Sequence, residues 1–210
     1  MRRTLLALCL LAALPSLWSR AAAQEAAPAL QEDPRAARFR EVERGFFTTF
    51  EVGYLHLLET PVADPVSFPY AGTDGGAASG LYAGLVVGYD ITPRLAFSLF
   101  AWQGNATASP SYGAFNFTAA GADVRFAFLG TRDSNEVERL YVYLHGRGGY
   151  VWTYPKGLFG DTDVLAQGGL GLEYYTRLRH FSVGLVADYL YFTEAKASGF
   201  SVVPTLRYTF

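Results

Sequence analysis

Nine residues carry the chemistry this chain could do. They are Glu51, Asp90, Asp123, Glu173 and Asp188 on the acidic side, and Arg125, Arg147, Arg207 and His145 on the basic side. All nine fall at the same parity of segments whose opposite parity is large and apolar, so they would line one common face. The near balance of charge points to a closed network of ion pairs, with Arg94 also in reach. No two His, Asp or Glu residues recur at ligand distances on one strand face, so no metal site is expected, and no cofactor motif is found. Of the three histidines, His180 falls in a turn, and His145 lies between Tyr143 and Arg147 in a hydrogen-bonded structural setting. His56 sits near the outer end of its segment, but no serine two residues away forms a local nucleophile and base pair. No catalytic residue is assigned, and an enzyme is not expected.

The elements that must position these groups are strands. From Phe46 onward, eight segments alternate with period two, each long enough to cross a bilayer as a tilted strand. Strand one, 46–57, turns Phe46, Phe50, Val52 and Tyr54 outward and Thr49, Glu51 and Gly53 inward. Strand two, 81–91, turns out Leu81, Ala83, Leu85, Val87, Tyr89 and Ile91, opposite Gly84, Gly88 and Asp90. A tight turn at Thr92-Pro93-Arg94 leads to strand three, 95–103, with Leu95, Phe97, Leu99 and Ala101 outward. Strand four, 115–129, shows Ala120, Ala122, Val124, Phe126 and Phe128, and strand five, 140–152, shows Leu140, Val142, Leu144, Tyr150 and Trp152. Strand six covers 164–175, strand seven 181–191 and strand eight 201–210, the last with Val202, Leu206, Tyr208 and Phe210 outward. Inward glycines at 53, 84, 88, 121, 149, 169, 171 and 184 leave room for a narrow water path through the lumen.

Residues 1–23 read as a signal peptide: a charged start at Arg2 and Arg3, an apolar stretch, and small residues at Ala21, Ala22 and Ala23. The single cysteine, Cys9, lies inside that leader, which excludes a disulfide framework. Arg2, Arg3 and Arg20 would leave with it, so 14 of the 17 basic residues face 19 acidic ones, a formal charge of −5. A mildly acidic chain without a basic cluster has no electrostatic footprint for nucleic acid. Residues 24–45 form a periplasmic lead-in, either solvated or a short helix that caps the inner mouth, and 46–210 form one β domain. Asn105-Ala106-Thr107 and Asn116-Phe117-Thr118 match the glycosylation pattern by chance.

Alternation alone also fits a soluble sandwich, whose charged parity would be its solvent face. The aromatics separate the two. With 14 Tyr and 16 Phe but only 17% charged residues, the outward aromatics gather at both strand ends rather than at strand centres. Phe46, Tyr89, Phe128, Tyr174, Phe181 and Phe210 form one girdle, and Tyr54, Tyr150, Trp152, Tyr189, Tyr191 and Phe200 the other. The expected fold is therefore an all-β, eight-stranded antiparallel up-and-down transmembrane barrel in the bacterial outer membrane, surrounded by outer-membrane lipid. With both termini periplasmic, 59–80, 104–114, 153–163 and 193–199 fall outside. The turn at 92–94, the connection 130–139, about as long as two outer loops, and 176–180 fall inside.

Strand eight, ending on Phe210 with Tyr208 two residues earlier, resembles the carboxy-terminal signal that the outer-membrane barrel assembly machinery recognises. The whole strand region resembles the small eight-stranded outer-membrane proteins of the OmpA, OmpX and OmpW kind. That resemblance implies membrane embedding, surface loops and no necessary enzymatic activity. The short segment Glu43-Arg44-Gly45-Phe46-Phe47 resembles CglE, an outer-membrane barrel of an adventurous gliding motility system. A structural or surface-interaction role comes first, with an envelope or surface protein partner reached through 59–80. A narrow small-solute channel comes second, and a lipid-modifying enzyme third.

Overall fold

Period-two alternation in segments rich in aromatic and β-branched residues favours extended chain, and lipid on one side leaves the backbone no partner but a neighbouring strand. In the computed structural model, residues 42–58, 77–108, 114–154, 162–178 and 180–210 are described. The expected leader 1–23, the lead-in up to 41 and much of three outer connections lie outside them. The elements are β1 (Phe46–Leu57), β2 (Ala78–Asp90), β3 (Leu95–Ala108), β4 (Ala114–Arg132), β5 (Glu138–Tyr154), β6 (Thr162–Tyr175), β7 (Phe181–Phe192) and β8 (Ala197–Thr209). Each pairs antiparallel with its sequence neighbour, and β8 pairs with β1 to close an eight-stranded barrel. No helix among the described residues is long and apolar enough to cross a membrane.

The register fixes the geometry. Phe50 pairs forward through Leu85, Ala101 and Ala120 to Tyr150, and backward through Leu206, Val183 and Tyr174 to Leu140. Both routes end on β5, ten residues apart, so the shear is ten. With strand spacings of about 4.8 Å and a rise of about 3.3 Å per residue, the strands tilt by about 40°.

The alternation holds on both faces: Phe50, Leu85, Leu99, Leu144, Leu170, Leu185 and Leu206 stand exposed on the outside, while Glu51, Asp123, Arg147 and Asp188 are buried inside.

Several boundaries differ from the sequence expectation, each for a local reason. The inner connection expected at 130–139 shrinks to Asp133–Val137, because β4 and β5 keep pairing as far as Arg132 and Glu138. The Asp133 carboxylate organises that turn, accepting from the Asn135 amide at 2.8 Å, the Val137 amide at 3.2 Å and Arg139 Nε at 2.7 Å. A register shift between Ala127 and Leu129 puts Phe128 in a bulge, so that Phe128 and Leu129 are both exposed. The outer turn expected at 193–199 is only Thr193–Lys196, since β8 begins at Ala197. There the buried Asp163 accepts from the amides of Glu194 at 2.9 Å and Ala195 at 3.0 Å. Pro204 interrupts the β1–β8 ladder, whose pairs stop at Glu51–Thr205 and resume at Tyr54–Val202, while its pairing with β7 is continuous.

Candidate functional site

The lumen brings all nine charged residues together in its half nearer the chain termini. Arg147 makes a two-pronged contact with Glu51, Nη1 to Oε2 at 2.9 Å and Nη2 to Oε1 at 2.5 Å. The planar guanidinium matches a carboxylate fork in just this way. Its Nε lies 3.5 Å from Asp123 Oδ2. His145 continues the chain, with Nδ1 3.2 Å from Asp123 Oδ1 and Nε2 2.5 Å from Asp188 Oδ1. A ring facing a carboxylate at each nitrogen can donate to both only as the imidazolium. Gln167 Nε2 then donates to Asp188 Oδ2 at 2.6 Å.

A second cluster lies closer to the termini. Arg125 donates to Glu173 at 2.5 Å and to Asp90 at 3.4 Å, Arg207 donates to Asp90, and Ser182 donates to Glu173 at 2.6 Å. The Arg207 guanidinium sits 3.7 Å from the centre of the Phe47 ring, a cation–π contact. Between the clusters is a cavity of about 30 Å³ bordered by Glu51, Asp123, His145 and Arg207, room for one or two waters. Arg94, expected to join the network, is exposed in the β2–β3 turn instead.

The other half of the lumen was not anticipated. Where odd strands end and even strands begin, the inward residues include Leu55, Leu57, Tyr82, Trp102, Phe115, Phe117, Val151, Leu165, Leu190 and Phe192, all buried, beside the buried Thr153, Asp163 and Ser201. Tyr82 and Trp102 have ring centres 5.0 Å apart, and Trp102 and Phe117 5.1 Å apart. Beside three of the glycines expected to leave room for water the space is taken by rings: a Cβ at Gly53 would meet the Tyr82 ring, one at Gly88 the Phe47 ring, and one at Gly171 the Tyr143 ring.

The mouth at the terminus end is crossed by the described end of the lead-in. Arg44 donates to the Pro93 carbonyl at 2.6 Å and to the Tyr141 hydroxyl at 2.7 Å, linking the β2–β3 turn to β5. His180 Nδ1 lies 2.5 Å from Glu43 Oε2 and 2.9 Å from the Thr209 carbonyl. Tyr208 packs against Phe181 at 5.1 Å and Phe210 at 5.1 Å, and the Phe210 amide donates to the Phe46 carbonyl. The two residues read as an assembly signal thus lie on the girdle at the closing seam.

His56 holds a surprise. A serine does meet it, but across the ladder: Ser79 Oγ lies 2.7 Å from Nδ1. Among the described residues the ring's other neighbour is Phe200, at 5.0 Å, and no carboxylate orients it. The contact is a cross-strand hydrogen bond on the outer wall, and no third group of a catalytic triad joins it among the described residues. Sequence spacing along one strand could not find it, because the partner comes from the register of the next.

No family model matches the chain, and no characterised relative matches it by sequence. Solved structures do. The Neisserial surface protein A structure superposes with a TM-score of 0.59 at 16% identity, covering 79% of this chain and 97% of that one. Two others align less closely: OprG from Pseudomonas aeruginosa (TM-score 0.47, 11% identity, 81% of this chain and 99% of that one) and Ail of Yersinia pestis (0.41, 14%, 80% and 100%). At these identities the likeness is one of fold. The closed ladder, the apolar outer wall and the two girdles give the chain the fold of the small eight-stranded outer-membrane β-barrels.

Proposed function

We propose that this barrel is non-enzymatic and works through its surface, as a structural or interaction component of the envelope, with its outer connections as the contact region. The observation that carries this reading is the filled lumen. Charged side chains pair across its terminus half, and ten buried apolar side chains fill the other. Eight strands enclose an interior that side chains can fill, so a solute would have to displace that packing. A narrow channel, the second role considered, is disfavoured by the same observation. The name of Neisserial surface protein A fits a surface role for a barrel of this fold.

The five-residue resemblance to a gliding-motility barrel stays a proposal on sequence alone, since Glu43 and Arg44 are occupied at the barrel mouth. The region 59–80, where a partner is proposed to bind, lies mostly outside the described residues. Planar bilayers containing the refolded protein should show no unitary conductance steps, and a steady pore current would overturn the reading. Cross-linking through an introduced cysteine at position 70, followed by capture from outer membranes, should recover one stoichiometric partner.

A further inference from the structure

The four described residues before β1 turn across the mouth of the barrel instead of running on in line with the strand. The turn is at Gly45, whose φ of +138° lies in a region that residues with a side chain rarely adopt. A Cβ there would touch nothing, so the glycine serves the torsion rather than the space. Its carbonyl accepts from the Asp90 amide at 3.0 Å, which ties one side of that torsion to the β1–β2 ladder. On the other side, three successive residues are anchored separately. Val42 packs against the buried apolar side chains of the lumen. Glu43 meets His180 of the β6–β7 turn, whose ring stacks on Tyr208 at 5.3 Å. Arg44 holds the Pro93 carbonyl of the β2–β3 turn and the Tyr141 hydroxyl of β5, with its guanidinium 5.4 Å from the centre of the Tyr141 ring. In a closed ring of eight strands β5 stands opposite β1, so these contacts span the mouth.

What lies beneath is charged. Pro93 and Tyr141, the two groups that Arg44 holds, also border a cavity of about 10 Å³ whose other walls include Asp90, Arg125, Glu173 and Ala127. That is room for no more than one water. The carboxylates and guanidiniums around it attract one another strongly only while bulk water is kept away. At the other end of the lumen the packed rings of Tyr82, Trp102 and Phe117 fill the path. The ion-paired half is therefore a blind chamber with one door, at the terminus end.

We propose that residues 42–45 are a hinged strap that closes this door. Swinging about Gly45, the strap admits or excludes water and small solutes at the Asp90, Arg125 and Glu173 cluster. It lifts by releasing the Glu43 and Arg44 contacts, and the ladder of the barrel is untouched.

The test is thiol labelling. Cys9 is the only cysteine, so the full chain with Cys9→Ser and Ala127→Cys carries a single thiol, on the wall of the cavity beneath the strap. The purified barrel in detergent micelles is treated with the charged, water-soluble reagent trimethylammonioethyl methanethiosulfonate. With the strap intact, the thiol should react slowly. Arg44→Ala should speed the reaction about 25-fold, fivefold for each of the two hydrogen bonds lost. Gly45→Val, which keeps every anchoring side chain but strains the turn, should speed it too. A thiol placed in the apolar half by Ala119→Cys should stay unreactive in every background. Equal rates at position 127 with and without Arg44→Ala, whether fast or slow, would overturn the strap. So would acceleration at position 119 as well, which marks a general loosening of the barrel. Ala96→Cys, another buried inward position at the charged end, serves the same comparison if Ala127→Cys fails to fold.

Discussion

Replacing Arg147 by methionine isolates the energetics of the lumen. Methionine keeps the length and apolar stem but removes both hydrogen bonds to Glu51 and the contact with Asp123. The side chains of Arg147 and Glu51 are only 5% and 3% exposed, so bulk solvent does not reach the carboxylate that is left. Stranding one member of a buried ion pair costs roughly 3–5 kcal/mol, whereas replacing both by apolar groups of similar volume is neutral or stabilising by about 1–4 kcal/mol. Arg147→Met should therefore destabilise by about 3–5 kcal/mol at neutral pH, and adding Glu51→Leu should restore most of it. Urea titrations in lipid vesicles at neutral pH measure both quantities. A single variant costing under about 1 kcal/mol, or a double variant no better than the single, would refute the claim that this pair is desolvated and mutually dependent.

Leu144→Lys places a charge on the outward face of β5, where Leu144 is 51% exposed, and should cost about 2–4 kcal/mol near the bilayer midplane in the same titration. Deleting Phe210 removes the terminal girdle ring and the amide that bonds Phe46. It should lower outer-membrane levels while leaving the heat-modifiable gel mobility of whatever assembles, and undiminished levels would remove the assembly-signal reading. In the β4–β5 turn, the hydrogen bond from Arg139, helped by the Asn135 and Val137 amides, holds the Asp133 carboxyl below its usual range. Its support of the turn is therefore complete at neutral pH and is lost only as the pH falls through that lowered value. Hydrogen exchange at Asn135 and Val137 should speed up in Asp133→Asn at neutral pH, and in wild type only in strong acid.

Parity was the legible part. A strand has two faces, and one lipid-facing set such as Phe50, Val52 and Tyr54 decides which face Glu51 must take. From that single choice on each strand follow the barrel, the girdles and the membership of the charged network. Depth was not legible in the same way. Leu55 and Leu57 share the parity of Glu51, and nothing local says that they belong with the buried apolar side chains such as Phe117 and Leu165 rather than with Arg147. The tilt and the shear of ten decide which inward side chains share a level, and these exist only once the barrel closes. His56 and Ser79, twenty-three residues apart, escaped for the same reason. The Phe128 bulge has no signal in the alternation, since Phe128 and Leu129 are both apolar and either could have been the outward residue.

The two halves of the lumen are held by different physics, and this shapes how the barrel should fail. In the terminus half, stability depends on pairing: each carboxylate is safe only while its arginine or histidine is in place, so single changes there are costly and pairs of changes are coupled. The half beneath the long loops depends on volume. Truncating Phe117 or Trp102 opens a cavity that the closed ladder cannot collapse to fill, with a cost of about 3–5 kcal/mol that is insensitive to pH. A conducting variant would therefore come from the apolar half. Opening the ion-paired half alone would leave ten packed side chains across the path, whereas thinning the Tyr82, Trp102 and Phe117 cluster would bring the outer water down to a cavity already lined by Glu51, Asp123 and His145.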